Sequence, residues 1–189
     1  SRGLGDVYKR QGDYTVTATS TDPSYSGSVG TNYTIAKAPL TVRAVDTNRP
    51  YGAPNPTFTV IYANFVNGEG TNVLTGAPGL SSTASATNAP GTYPIQVTTG
   101  SLSAANYSFS TANGTLAVTK KTASVTLTNL STVYQANLTL PTAITVPAGL
   151  SVDFTFDGST NPPTDAGQHT VVARINDPNY EGSATNTFT

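Results

Sequence analysis

The sequence predicts an all-β protein built from tandem small sandwich repeats, and three observations carry that prediction. Apolar and polar residues alternate with period two over several short segments, the pattern of strands wet on one face and buried on the other. Composition agrees: 34 of the 189 residues are threonine, and 17 glycines and 13 prolines punctuate the alternating segments. Threonine is branched at Cβ and suits a half-wet pleated surface, whereas glycine and proline form turns. Thirdly, the chain repeats itself. QGDYTVTATSTDPSYSGS, Gln11 to Ser28, aligns without gaps on AGQHTVVARINDPNYEGS, Ala166 to Ser183. A looser copy, APGTYPIQVTTGSLSAANYSFSTANGTLAV, lies between them at Ala89 to Val118. The markers Gly12, Gly91 and Gly167 recur about every 80 residues, longer than a solenoid period and suited to beads on a string.

Residues 1–11, SRGLGDVYKRQ, carry Arg2, Lys9 and Arg10 and show no alternation. They resemble a non-native, adapter-derived tail and are set aside from fold reasoning. Residues 12–38 read as the C-terminal remnant of a truncated repeat, in which Tyr14, Val16 and Ala18 alternate with Thr15, Thr17 and Thr19. A piece this short cannot bury a core of its own and is expected to be mobile or loosely docked.

Residues 39–119 form the complete repeat. Phe58, Val60 and Tyr62 alternate with Thr57, Thr59 and Ile61, and Tyr93, Ile95 and Val97 repeat the pattern later. Between them NGEGTNVLTG, Asn67 to Gly76, predicts one helical turn capped by Thr71 and carrying Val73 and Leu74. A sheet with one short helix also suits a β-grasp-like unit, which is the fold alternative for this repeat. Residues 120–189 form a second repeat of the first kind, cut at its last strand. There Val152, Phe154 and Phe156 alternate with Asp153, Thr155 and Asp157, and His169, Val171 and Ala173 follow.

In each copy a Gly-x-Tyr opens the strand. The arrangement resembles the corner of an immunoglobulin-like sandwich, where a tyrosine two residues before a core position returns its hydroxyl to the backbone. Val16, Ile95 and Val171 take that core position, and His169 departs from the pattern by replacing the tyrosine. TIAKAPLTV and LAVTKKTASVTL run one strand into the next through two or three residues carrying lysine, which places the joints near Ala38 and Lys120. Connectors so short predict neighbours held at a preferred angle and an extended array.

Composition excludes several functions. Charged residues make up 10% of the chain and the net charge is −1, so nothing marks a surface for nucleic acid or anionic membrane. With residues 1–11 set aside, six basic and nine acidic residues remain, the balance of a solvated surface domain. No apolar run approaches the ~20 residues of a membrane-spanning helix. With neither a signal peptide nor an initiator methionine in view, the chain is expected to be an internal piece of a longer protein. Cysteine is absent, which removes disulfides, thiol catalysis and thiolate metal sites together.

No residue set predicts a catalytic, cofactor or metal site. His169 is the single histidine and stands where the sister copy has Tyr14, so a structural role is expected. Asp22 and Asp177 open Asp-Pro-x-Tyr turns, in which aspartate accepts a backbone hydrogen bond and proline presets φ. The competing reading, a calcium ligand at a joint, needs about six to eight oxygens, and the joints present Lys37, Lys120 and Lys121 instead. Asn67, Glu69 and Asn72 make a second weak oxygen cluster without the aspartate spacing of a calcium loop. Asn32, Asn106, Asn113, Asn129 and Asn137 lie in N-x-[ST] sequons, expected by chance in a chain so rich in Asn and Thr. A Lys37–Asn113 isopeptide bond with Glu69 as proton shuttle can be drawn, but no spacing requires it. Tyr25, Tyr107 and Tyr180 recur after their turns, which suits core anchors at least as well as a sugar-stacking surface.

The middle repeat carries Tyr51-Gly52, Asn55-Pro56, Phe65-Val66-Asn67-Gly68, Leu74-Thr75-Gly76, Gly91-Thr92-Tyr93, Asn106-Tyr107 and Asn113-Gly114-Thr115-Leu116. In this order and spacing they resemble the MBG domain of the YGX type, a repeat of large bacterial adhesins and other secreted surface proteins. The flanking copies resemble sister MBG or bacterial Ig-like repeats, although the third reads Tyr134-Gln135-Ala136 in place of Tyr-Asp-Gly. The resemblance implies an extracellular, tandemly repeated, non-enzymatic module, and the short joints lead to the expectation that it serves as a stalk with neighbouring repeats as partners. The alternatives are direct binding of a host, matrix or glycan ligand, and an accessory domain of a secreted polysaccharide-degrading enzyme.

Overall fold

The computed structural model describes residues 11–135 and 138–189. Residues 1–10 of the proposed tail at residues 1–11, together with Ala136 and Asn137, lie outside the described residues. The strands run in chain order as β1 (Gly12–Thr19), β2 (Ser28–Ile35), β3 (Ala38–Ala44), β4 (Thr47–Pro50), β5 (Val60–Ala63) and β6 (Gly79–Ser81). They continue as β7 (Gly91–Thr98), β8 (Tyr107–Ala112), β9 (Gly114–Thr119), β10 (Lys121–Thr122) and β11 (Ser124–Thr128). The last are β12 (Thr142–Val146), β13 (Val152–Phe156), β14 (His169–Ile175), β15 (Tyr180–Glu181) and β16 (Ser183–Phe188). The all-β prediction holds.

Contacts divide the chain into two units. The first comprises Ser1–Val45, Phe58–Ser82 and Pro94–Thr115. In it β1 and β2 form an antiparallel hairpin that sets Tyr14 opposite Tyr33 and Ala18 opposite Val29. A second sheet centres on β3, antiparallel to β5 on one side and parallel to β8 on the other. Leu40, Val42 and Ala44 point to one face of β3 and are fully buried, as the period-two pattern requires. Leu40 packs with Ala104 and Tyr107, and Tyr62, Phe65, Val73 and Phe109 close around them. Each such aliphatic side chain contributes about 1.5–3 kcal/mol on burial.

The second unit comprises Asp46–Thr57, Thr83–Tyr93 and Leu116–Thr189. Here β4 pairs parallel with β9, and β11 pairs antiparallel with β12. β14 lies between β13 and β16, antiparallel to both. Leu127, Phe156, Val171, Ala173 and Phe188 form its core, with the Phe156 and Phe188 rings edge to face at 6.0 Å.

Three expectations need correction. The helical turn exists, but it is a 3-10 turn over Thr71–Val73 whose N-cap is Gly70, with no side-chain cap bond. Thr71 therefore starts the turn rather than capping it, and Leu74 ends it in an extended conformation. The strand around Phe58 is shorter than its alternation, since only Val60–Ala63 pairs with β3 although Phe58 keeps its half-buried place. Of the three corner positions, Ile95 and Val171 are fully buried while Val16 is 50% exposed. Among the described residues β1 pairs with β2 alone.

Candidate functional site: the lysine clasps at the repeat joints

Both joints between repeats carry a hydrogen-bonded lysine. At the first joint, Ala36 and Lys37 are all that separates β2 from β3. The Lys37 Nζ donates to the Ala104 carbonyl oxygen at 3.1 Å, and the Ala38 N–H donates to the Asn106 carbonyl at 2.9 Å. Ala38 then enters the sheet in parallel register with Tyr107.

The second joint repeats this geometry. Lys120 alone separates β9 from β10. Its Nζ donates to the Asp177 carbonyl at 2.6 Å, and the Lys121 N–H donates to the Asn179 carbonyl at 2.9 Å. Lys121 stands in parallel register with Tyr180. In both joints the lysine binds the carbonyl three residues before a tyrosine, and the next N–H binds the carbonyl just before it. Lysine serves here because a flexible stem with a rotatable ammonium reaches a carbonyl across the turn.

Around the second joint the packing is closer still. Thr119 pairs with Pro50 in the sheet, and its carbonyl accepts the Tyr51 N–H at 2.8 Å. The Tyr51 and Tyr180 rings meet edge to face at 5.7 Å. The Ala123 N–H donates to the Glu181 carbonyl at 2.8 Å. A Cβ on Gly182 would lie 2.2 Å from the Ala123 carbonyl oxygen, so only glycine admits that approach.

At the second joint the Asp177 turn supplies the carbonyls. Asp22 Oδ1 accepts the Ser24 N–H at 2.7 Å, and Asp177 Oδ1 accepts the N–H groups of Asn179 and Tyr180 at 2.7 and 3.0 Å. Both carboxylates thus form turns of the expected kind. The three aligned tyrosines differ in surroundings. Tyr107 is a core residue, Tyr180 is half-buried at the joint, and Tyr25 is 75% exposed.

The remaining candidates find separate partners. The Tyr107 hydroxyl donates to Glu69 Oε2 at 2.5 Å and accepts from the Val66 N–H at 3.1 Å. Burial, and then the bond to the Glu69 carboxylate, raises this phenol above its ordinary value. Lys37, Glu69 and Asn113, drawn together above as an isopeptide set, bond to Ala104, Tyr107 and the Val97 N–H respectively. No group of three or more His, Asp or Glu side chains close enough to hold a metal occurs among the described residues. Of the sequon asparagines, Asn32 is bonded by Thr15, Asn113 binds Val97, Asn129 binds Thr142, and Asn106 has its amide oxygen buried. Asn137 lies outside the described residues.

His169 occupies the tyrosine corner. In the middle repeat the Tyr93 hydroxyl donates to the carbonyl of Ala89, four residues earlier, at 2.8 Å. In the third, His169 Nε2 lies 3.0 Å from the carbonyl of Asp165, also four residues earlier. Its Nδ1 lies 2.7 Å from Asp157 Oδ2, while Asp157 Oδ1 accepts the Thr170 N–H at 2.8 Å. Two acceptors face the two ring nitrogens, and only the doubly protonated imidazolium can donate to both. The bond to Asp157 first, then that to Asp165, holds the His169 pKa above its ordinary 6.5. The same bond to His169, followed by the Thr170 N–H, holds the Asp157 carboxyl below its ordinary value.

Two further features escaped the sequence reading. Arg49 is 3% exposed, yet every group it binds is neutral. Its Nε donates to Asn55 Oδ1 at 2.7 Å and its Nη2 to the Ser85 carbonyl, while Asn55 Nδ2 donates to the Ala84 carbonyl at 2.7 Å. Its only sequence signal was its place beside the Tyr51-Gly52 and Asn55-Pro56 motifs. The second feature is a groove of about 750 Å³ lined by Leu140, Val152, Asp153, Phe154, Pro162 and Arg174, which only the folded chain assembles.

A chain of small β repeats with a hydrogen-bonded lysine at each joint defines a tandem repeat protein. The particular family follows from direct comparison: the MBG domain matches residues 6–39 and 123–189, and the MBG domain of the YGX type matches residues 40–117. The chain therefore belongs to the MBG domain family. MBG domains occur in bacterial surface proteins and are generally non-catalytic modules. No curated protein and no solved structure matches the chain.

Proposed function

We propose that these repeats form a non-catalytic spacer of a bacterial cell-surface or secreted adhesin-like protein, exposed outside the cell, that holds successive domains at a set angle. One observation carries this reading: the joints contain almost no free chain. Between β9 and β10 the single intervening residue has its side chain bonded to the Asp177 turn, and the residues on either side are in sheets. A linker with so little freedom transmits orientation from one repeat to the next, as a flexible Gly/Ser linker does not. Residual dipolar couplings test it. The middle and third repeats should share one alignment tensor, and a Gly-Ser-Gly-Ser insertion after Lys120 should give each its own. Independent tensors in the unmodified chain would overturn the spacer reading.

The groove favours a second reading, direct adhesion. It places the ring of Phe154 near the polar side chains of Asp153 and Arg174, a combination suited to a glycan or an extended peptide. Screening the whole chain on a glycan array separates the two. Reproducible binding of one glycan class that Phe154→Ala abolishes would establish adhesion, and a blank array favours the spacer.

A further inference from the structure

The chain contains two Asn-Gly pairs, Asn67-Gly68 and Asn113-Gly114, both within the middle repeat. An asparagine followed by glycine is the sequence in which a side-chain amide reacts most readily with its own backbone. The next residue has no Cβ to hinder the approach of its peptide nitrogen to the amide carbon. Sequence treats the two pairs alike, and both asparagines are exposed, so access to water does not separate them either.

Their surroundings do separate them. Asn113 Oδ1 accepts the Val97 N–H at 3.1 Å. Gly114 opens β9 and is buried, and a Cβ there would lie 2.8 Å from the Ala44 carbonyl oxygen. Turning this peptide toward the asparagine side chain breaks the Val97 bond and drives backbone against backbone. Asn67 stands instead at the tip of a turn whose shoulders are fixed. Val66 N–H donates to the Tyr107 hydroxyl, Glu69 N–H donates to the Val66 carbonyl at 3.0 Å, and Glu69 Oε2 accepts from Tyr107. Between these shoulders Asn67 and Gly68 have φ of +56° and +69°, the left-handed region that asparagine and glycine enter at least cost. Among the described residues neither makes a hydrogen bond, and a Cβ on Gly68 would meet nothing within 4 Å. The tip peptide can therefore rotate while the turn around it stays in place.

We propose that Asn67 is a modification site, converted without an enzyme to aspartate and isoaspartate while Asn113 is protected by the fold. The Gly68 nitrogen gives up its proton and bonds to Asn67 Cγ, the Cγ–Nδ2 bond breaks, and the amide nitrogen leaves as ammonia. The resulting succinimide ring takes up one water molecule. Opening at one carbonyl gives aspartate. Opening at the other gives isoaspartate, in which the main chain runs through the former side chain and is one methylene longer. Either product places a new carboxylate two residues from Glu69, but only isoaspartate lengthens the turn between Val66 and Glu69. That draws the Glu69 carboxylate away from the Tyr107 hydroxyl, a group on a core residue only 2% exposed, whose burial makes a lost partner costly. The site thus acts as a slow, irreversible timer on the core of the middle repeat.

The test is incubation of the whole chain in mildly alkaline buffer, followed by mass spectrometry with electron-transfer fragmentation, which distinguishes isoaspartate from aspartate. Both asparagines are read in the same sample. Asn67 should gain its one unit of mass about tenfold faster than Asn113, because Asn113 must first open locally. In chain unfolded by urea the two rates should converge, since both asparagines precede glycine and the fold no longer protects either. No conversion at Asn67, equal rates in the folded chain, or a difference that survives unfolding would overturn the proposal. A second measurement checks the timer. Purified isoaspartyl chain should exchange the Val66 and Glu69 amide hydrogens faster than unmodified chain, whereas Asn67→Asp, which adds the charge without the methylene, should not. Unchanged exchange in the isoaspartyl chain would overturn the link to Tyr107. None of these readouts depends on the rigidity of the joints, so this proposal and the spacer reading fail separately.

Discussion

Arg49 shows most directly how a single side chain holds distant segments of this fold. Its guanidinium satisfies acceptors on residues 55 and 85, and it does so almost out of contact with water. Replacing it removes two hydrogen bonds made by a charged donor and empties the space of a buried side chain. Arg49→Ala should lower stability by about 2–3 kcal/mol in urea unfolding, and Arg49→Lys should recover only part, because an ammonium cannot span the same fork. Gly182 tests a different property of a residue, the space it leaves. Gly182→Ala forces the Ala123 backbone to move and should cost about 1–3 kcal/mol, whereas Gly27→Ala should change stability by no more than about 0.5 kcal/mol. The two glycines occupy the same place in twin motifs, so the contrast isolates packing from intrinsic propensity.

At the scale of the element, the corner that opens β14 predicts a pH response that the corner before β7 lacks. The His169 imidazolium is held by Asp157 and the Asp165 carbonyl, and its folded pKa is raised. Its contribution to stability is therefore complete below the unfolded value near 6.5 and is lost as pH rises through the higher folded value. Asp157 has the opposite sign: its pKa is lowered, so its contribution stands above the unfolded value and fades as pH falls through the folded one. Melting temperature of the third repeat should peak between these limits and decline on the alkaline side. His169→Tyr restores the residue that the other copies use and should abolish the alkaline decline. A decline of equal size in that variant would show that another group is responsible.

At the scale of the whole molecule, the short joint at Lys120 and the Tyr51–Tyr180 ring contact predict that neighbouring repeats unfold together. Lys120→Ala removes the side-chain bond to the Asp177 turn but leaves the Lys121 register intact. Calorimetry should then show one cooperative transition broadening or dividing in two, with little loss of total enthalpy. A single unchanged transition would mean that the lysine carries no coupling. The bond joins an exposed ammonium to a neutral carbonyl, so the expected effect on overall stability is small, about 0.5–1.5 kcal/mol.

Much of this was legible in one dimension. Period-two alternation located strands because strand geometry itself puts successive side chains on opposite faces, so Ile95 and Val171 declare their burial locally. Internal repetition exposed the twin motifs, and the Asp-Pro turns followed from the chemistry of those two residues. Thr71 does not cap the turn, because Gly70 holds the N-cap position in an extended conformation and no side-chain bond forms. The burial of Arg49, the partners of Lys37 and Lys120, and the groove at Phe154 could not be read from the sequence. Each depends on carbonyls or walls brought from residues 36 to 67 positions away, or on a surface assembled from several strands. The twins DPSYSG and DPNYEG mark the limit most clearly. By itself the sequence determined that they make the same turn, because hydrogen bonding within a turn is local. Only the tertiary structure decided that one is filled and the other open, because the strand that fills it is supplied from elsewhere in the chain.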